Sequence, residues 1–443
     1  MSASFDCVVK GATVVNHDGI GVRDIGIRGG RIAAIGNLSA ASTGEMIEAK
    51  GLHVLPGVID SQVHFREPGL EHKEDLETGS LAAVAGGVTA VFEMPNTKPL
   101  TTSAATLADK VRRARNRMYC DFAFYVGGTR ENIDEIPELE QLEGSAGIKI
   151  FMGSSTGDLL VDDEASLDRV IARIWRRAAF HAEDETRLKE RMHLRKPGDP
   201  SSHPVWRDPE AALIATQRLV RLAEKHRKRV HVLHISTAEE MAFLEGHKDW
   251  ATVEVTPHHL TLGGDAYQRL GTYAQMNPPV RDERHREAIW AGLNSGVADV
   301  LGSDHAPHTR EEKDHAYPGS HSGMTGVQTL LPTMLDHVNA GRLSLERLVD
   351  LTSHGPQRIF GIRGKGRIAV GYDADLSIVD LKRQETITNA WMRSKSGWTP
   401  YDGVSVTGWP VGTIVRGRRV MWEGEIAAPA AGQPVCFLEQ SRS

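Results

Sequence analysis

Two patterns of apolar and polar positions alternate along the chain. Residues 5–55 carry short alternating runs, Cys7-Val8-Val9, Thr13-Val14-Val15, Asp24-Ile25-Gly26-Ile27 and Arg31-Ile32-Ala33-Ala34-Ile35, with Gly29-Gly30 as a two-residue hairpin turn. The same pattern returns late. It appears in Arg367-Ile368-Ala369-Val370, in Asp375-Leu376-Ser377-Ile378-Val379, and in Thr413-Ile414-Val415-Arg416, which turns at Gly417-Arg418 into Arg419-Val420-Met421-Trp422. Neither end alone is large enough to bury a core, so the two are expected to pair into one discontinuous β-sandwich.

Between them the pattern becomes strand, helix, strand, helix. An apolar run through Val54, Leu55, Val58 and Ile59 leads into alternating Val63 and Phe65, bounded by Pro56-Gly57 and Pro68-Gly69. It predicts a short buried strand ending in a loop. Seven further strands are expected at 88–94, 121–126, 147–152, 178–182, 230–235, 252–256 and 298–303, with helices at 75–85, 103–117 and 208–226 among the connections. Eight such units match an α/β chain folded as a (β/α)8 barrel. The expected division is residues 1–56 and 363–443 for the β-sandwich and tail, and 57–362 for the barrel. Alanine and proline cluster after Glu425, which predicts a loose tail.

Composition narrows the partners. Over 443 residues, 52 basic and 58 acidic side chains are interspersed, for a net charge of −6. There is no basic stripe for nucleic acid and no polybasic anchor for a membrane, so a small-molecule substrate is expected. Cys7, Cys120 and Cys436 are far apart and odd in number, which fits a reducing compartment rather than a disulfide framework. The N-terminus has no basic segment followed by an apolar core, and no apolar run approaches the ~20 residues of a spanning helix. These features predict a cytoplasmic protein.

Candidate chemistry gathers where the barrel strands end. His64 lies at the end of the first strand, Lys149 on the fourth, His181 on the fifth, His234 on the sixth and Asp304 after the eighth. Any one of them alone reads as a hydrogen-bonded structural residue. Five potential ligands on one rim read as a metal site. Gln62, His64 and Arg66 alternate on one strand face, so an anion-binding guanidinium stands beside the candidate ligand. Lys149 interrupts the apolar run Gly147-Ile148-Lys149-Ile150-Phe151-Met152, where an unpaired ammonium is costly. Either it reaches solvent along the rim, or burial keeps it neutral and it captures carbon dioxide as a carbamate able to bridge two cations. The second reading is preferred.

The chain resembles the dihydroorotases of the amidohydrolase superfamily along nearly its whole length. The resemblance rests on the motif from Asp60 to Pro68, on Glu93-Met94-Pro95-Asn96-Thr97, on Thr256-Pro257-His258-His259-Leu260, on Met276-Asn277-Pro278-Pro279, and on the motif from Gly302 to His308. It implies a split β-sandwich, a barrel holding one or two zinc ions, and reversible interconversion of dihydroorotate and N-carbamoyl-aspartate in pyrimidine synthesis. By position it implies one metal on His64 and Asp304, another on His181 and His234, and carboxylated Lys149 between them. Asp304 would be the proton carrier. Arg66, Asn96 and His308 would hold the substrate carboxylate, with Asn277 near the ring. A homo-oligomer is also expected, and association with aspartate carbamoyltransferase is raised.

One position departs from the pattern. Gln62 stands where most such enzymes have histidine, and an amide oxygen is a weaker zinc ligand than imidazole. One firm zinc is therefore expected, with the second weak or absent. A hydantoinase or allantoinase is the alternative enzyme, which Arg66 disfavours. A non-catalytic scaffold is the alternative of another class.

Overall fold

The computed structural model describes residues 4–155 and 159–438. Its centre is eight parallel strands hydrogen-bonded in sequence order: β1 (Val58–Val63), β2 (Val88–Glu93), β3 (Asp121–Gly127), β4 (Ser145–Phe151), β5 (Ala178–His181), β6 (Val230–Val232), β7 (Ala251–Val255) and β8 (Val300–Leu301). Every strand residue is buried, as a parallel sheet covered on both faces requires. The ring closes just past β1, where Val63 bridges His305 and the His64 amide donates to His305 O at 2.7 Å. The expected barrel is therefore present.

Helices start where the sequence supplies caps. Asp75 and Ser103 each form a capping box ahead of Leu76–Ala85 and Ala104–Ala114. Asp208 caps Pro209–His226, with proline in the first turn. Among the described residues no helix is long and apolar enough to cross a membrane.

Both chain ends join one hydrogen-bonded sheet of nine strands, fused where His53–Pro56 pairs antiparallel with Leu376–Thr386. It docks on the barrel through polar ties. Gly57 N donates to Asp375 O at 2.8 Å, and Thr413 Oγ1 to Val84 O at 2.7 Å.

Three expectations are corrected. Residues 367–370 form no strand, because the Ile368 amide is taken by the Asn16 side chain and positive-φ Gly364, Gly366 and Gly371 break the run. The late hairpin turns at Arg416-Gly417, one residue early, since Val415 pairs with Arg418 and both turn residues adopt positive φ. The tail is not loose as far as Leu438: Val435 N donates to Phe122 O at 2.8 Å, and Phe437 packs on Phe92 across the barrel's amino-terminal end.

Candidate active site

The carboxyl ends of the strands enclose one small cavity lined by Gln62, His64, Arg66, Asn96, Lys149, His181, His234, Asn277 and Asp304, together with Phe151, Ser322 and Gly323. The structure thus brings together every site residue expected from the sequence except His308, which stands behind Arg66. A cavity of about 950 Å³ at the opposite end is larger. Its floor is a structural ion cluster, with Lys365 Nζ at 2.7, 2.6 and 3.1 Å from Asp121, Asp375 and Asp373.

The backbone is bent to build this rim. Arg66, His234 and Asp304 all take positive φ (66°, 40° and 46°), a conformation costing a non-glycine residue roughly 1–2 kcal/mol. Three such residues around one cavity are the signature of a functional constraint rather than of packing.

The donors and acceptors define what the rim lacks. His64 Nδ1 faces Asn96 Oδ1 at 2.7 Å, so that nitrogen carries the proton. Burial lowers the ring's pKa from its ordinary value, against the raising pull of Asp304, and its Nε2 faces Asp304 Oδ1, 3.2 Å away. Burial pushes Asp304 upward, but His64 and the nearby His234 outweigh it and hold the carboxyl well below the usual range. With Nδ1 donating to Asn96, an Nε2 lone pair this close to a carboxylate oxygen would suit a shared cation. The second pair repeats the logic. His181 Nε2 lies 2.9 Å from Glu183 Oε1, off the ideal hydrogen-bond direction. Although buried, Glu183 is kept ionised by Arg207 and His181. His181 therefore presents Nδ1 to His234 Nε2, 2.9 Å away, and burial keeps both rings neutral.

Lys149 is fully buried, and burial lowers its amine to about 7, against the opposing charges of Asp304 and Glu254. Glu254 on β7 is itself pushed up to about 8 by burial and accepts from Ser61 Oγ at 2.9 Å. A Cβ at residue 302 would come within 2.5 Å of its carboxylate, which is why glycine stands there.

Gln62 Oε1, an acceptor, and Arg66 Nη1, a donor, are among the buried atoms with no hydrogen-bond partner among the described residues. Gln62 Nε2 donates to Asp304, and Arg66 Nε donates to Pro307 O at 3.1 Å. The orphan acceptor beside Asp304 suits a cation or a water, and the orphan guanidinium nitrogen suits an anion. Asn277 Oδ1 accepts from His203 Nε2 at 2.9 Å, while His259 Nε2 tethers the same loop through Pro278 O at 3.1 Å.

Sequence reasoning missed Glu183 and Arg207, although Glu183 stands two residues after His181 in His181-Ala182-Glu183, a same-face spacing that could have raised it. It also missed Lys73, hidden in the charged run Glu71-His72-Lys73-Glu74-Asp75, which reads as solvated.

A closed parallel barrel with histidines, a buried lysine and an aspartate at its strand ends defines the class: a barrel enzyme whose site lies at the carboxyl face. The chain belongs to the amidohydrolase family, whose model matches residues 53–420. It is 37% identical to the dihydroorotase of Methanosarcina acetivorans, over 98% of this chain and 96% of that protein. It is 38% identical to the dihydroorotase of Halobacterium salinarum, over 94% and 96%. Among solved structures, the L-hydantoinase (dihydropyrimidinase) of Arthrobacter aurescens superposes with a TM-score of 0.92 at 33% identity, covering 97% of this chain and 99% of that one.

Proposed function

We propose that this chain is a metal-dependent cyclic amidohydrolase, a dihydroorotase that interconverts dihydroorotate and N-carbamoyl-aspartate in pyrimidine synthesis. The observation that carries the reading is Arg66, buried beside His64 and Asp304 with Nη1 unpartnered among the described residues. Burial lowers its pKa only to about 10, so it stays charged at neutral pH. A fixed guanidinium can take a carboxylate through two parallel hydrogen bonds, and dihydroorotate carries one on its ring.

The donor set fits divalent metal. His64 with Asp304 and His181 with His234 are two neutral-imidazole sites. Lys149, whose amine is lowered by burial to about 7 and so is about half neutral at pH 7, is suited to capture carbon dioxide, and the carbamate would supply oxygen ligands between the two pairs. With glutamine at position 62, the His181–His234 side is the firm site and the other is weak. Zinc bound there would polarise the scissile carbonyl and acidify water.

The remaining steps belong to the chain. Arg66 and Asn96 hold the substrate carboxylate, with His308 packed behind Arg66, and so fix the ring amide over the rim, with Asn277 beside the ring. Asp304, ionised in the free enzyme, takes the proton of the attacking water as the new C–O bond forms. As the C–N bond breaks, the same carboxyl returns that proton to the departing nitrogen. Ring closure runs these transfers in reverse.

The likeness to the L-hydantoinase favours a second reading, a cyclic amidase for neutral rings. Assay of the purified, zinc-supplemented chain on dihydroorotate and on hydantoin separates the two. Turnover of dihydroorotate without a partner chain, and its near-loss in Asp304→Asn with zinc retained at the Lys149–His181–His234 site, is expected. Comparable turnover of hydantoin, or none of either, would reject the proposal.

A further inference from the structure

Behind Arg66, on the side away from the candidate metal ligands, lie Lys73 and Glu312, two charges in contact with His308 that the mechanism above does not use. Lys73 is buried, and its Nζ lies 2.8 Å from Glu312 Oε1 and 3.2 Å from His308 Nδ1. His308 is fully buried, packs against the tilted ring of His321 at 4.9 Å between ring centroids, and meets Ser322 O at 3.1 Å and Arg66 Nη2 at 3.3 Å through Nε2. His308, Glu312 and His321 are grouped closely enough to hold a cation. The Lys73 ammonium already stands at two of the three.

These contacts select one tautomer. An ammonium only donates, so Nδ1 accepts from Lys73. A carbonyl only accepts, so Nε2 carries the hydrogen that reaches Ser322 O. The opposite tautomer would rely on the longer contacts, 3.5 Å to Glu312 Oε2 and 3.3 Å to Arg66, while setting an N–H against the ammonium and a lone pair against the carbonyl. Glu312 is positioned for this task by its place in the capping box that opens the helix Arg310–Asp314, where its carboxylate is fixed by the Thr309 amide at 3.0 Å.

We infer that Lys73, anchored by Glu312, is a positioning residue for anion recognition: it fixes His308 in one tautomer behind Arg66, with its Nε2–H tied to Ser322 O on the cavity wall. The pocket thereby prefers rings bearing a carboxylate. This rests on the proposed dihydroorotase reading and deepens it.

The test compares parent, Lys73→Met, Lys73→Arg and Glu312→Gln by steady-state kinetics on dihydroorotate, with metal content measured in each. Lys73→Met should raise KM roughly tenfold, the size of one lost charge-assisted hydrogen bond, with metal content unchanged and kcat moving far less than KM. Lys73→Arg should recover most of the loss. Glu312→Gln, at a partly exposed carboxylate, should shift KM in the same direction by less and serves if the methionine variant fails to fold. An unchanged KM, or an effect confined to kcat or metal content, overturns the inference. A parent that does not turn over dihydroorotate instead overturns the reading beneath it.

Discussion

Gln62 donates its side-chain amide to Asp304 Oδ1 at 3.0 Å, the same oxygen that His64 Nε2 faces at 3.2 Å. The glutamine thus satisfies the carboxylate from one side and leaves its own carbonyl oxygen buried without a partner among the described residues. An imidazole there would add a ligand nitrogen; the amide adds a hydrogen bond that competes with metal for Asp304. After dialysis the protein should retain about one zinc per chain, and Gln62→His should raise this towards two by restoring a nitrogen donor. Elemental analysis of both proteins decides it, and two tightly held ions in the unmodified chain would end the single-metal idea.

Arg66 makes a geometric demand that charge alone does not meet. Lysine at this position keeps the positive charge but loses the planar fork that bonds Pro307 O and leaves Nη1 for the substrate. Arg66→Lys should raise KM for dihydroorotate by a factor corresponding to ~1.5–3 kcal/mol, the size of a charged hydrogen bond. Unaltered KM and kcat would mean that the carboxylate is held elsewhere.

Glu183 is the outer partner of His181, and it is locked by Arg207, whose Nε and Nη2 reach it at 3.0 and 2.7 Å. Losing the carboxylate's charge frees the imidazole to rotate and to change tautomer. Glu183→Gln should weaken zinc affinity by roughly 10–100-fold, the usual cost of removing such an outer carboxylate. Competition against a chelator of known affinity reads this directly, and equal affinities would reduce Glu183 to an ion-pair partner of Arg207.

What the sequence made legible follows the range of the interactions involved. Helix starts at Asp75, Ser103 and Asp208 are local events, spelled by a cap and the residues just after it. The barrel strands are equally legible, because burial on both faces leaves continuous apolar runs in which Lys149 stands out. The rim followed from the strands, since their ends must meet once the barrel closes. The failures are contacts with distant partners: Asn16 claiming the Ile368 amide, the tail carried under the barrel by Phe122, and Lys73 drawn inward by Glu312. None leaves a periodic trace near the residue concerned.

Lys149 sets function against stability, and the sign can be worked out. In the folded, metal-free chain its amine is lowered from 10.5 to about 7 by burial, while the unfolded chain keeps the ordinary value. Between these pH values the unfolded state binds more protons, so this group makes stability rise with pH. The penalty is full below about pH 7 and gone above about 10.5, with an upper bound of about 5 kcal/mol. Methionine fills similar space without a charge to desolvate. Metal-free Lys149→Met should therefore be more resistant to urea than the metal-free parent at pH 6, by an amount that shrinks by pH 9, while failing to bind metal between the two histidine pairs. If the variant is instead the less stable at both pH values, the amine is not held in an unfavourable state, and the case for a neutral lysine ready to take up carbon dioxide falls with it.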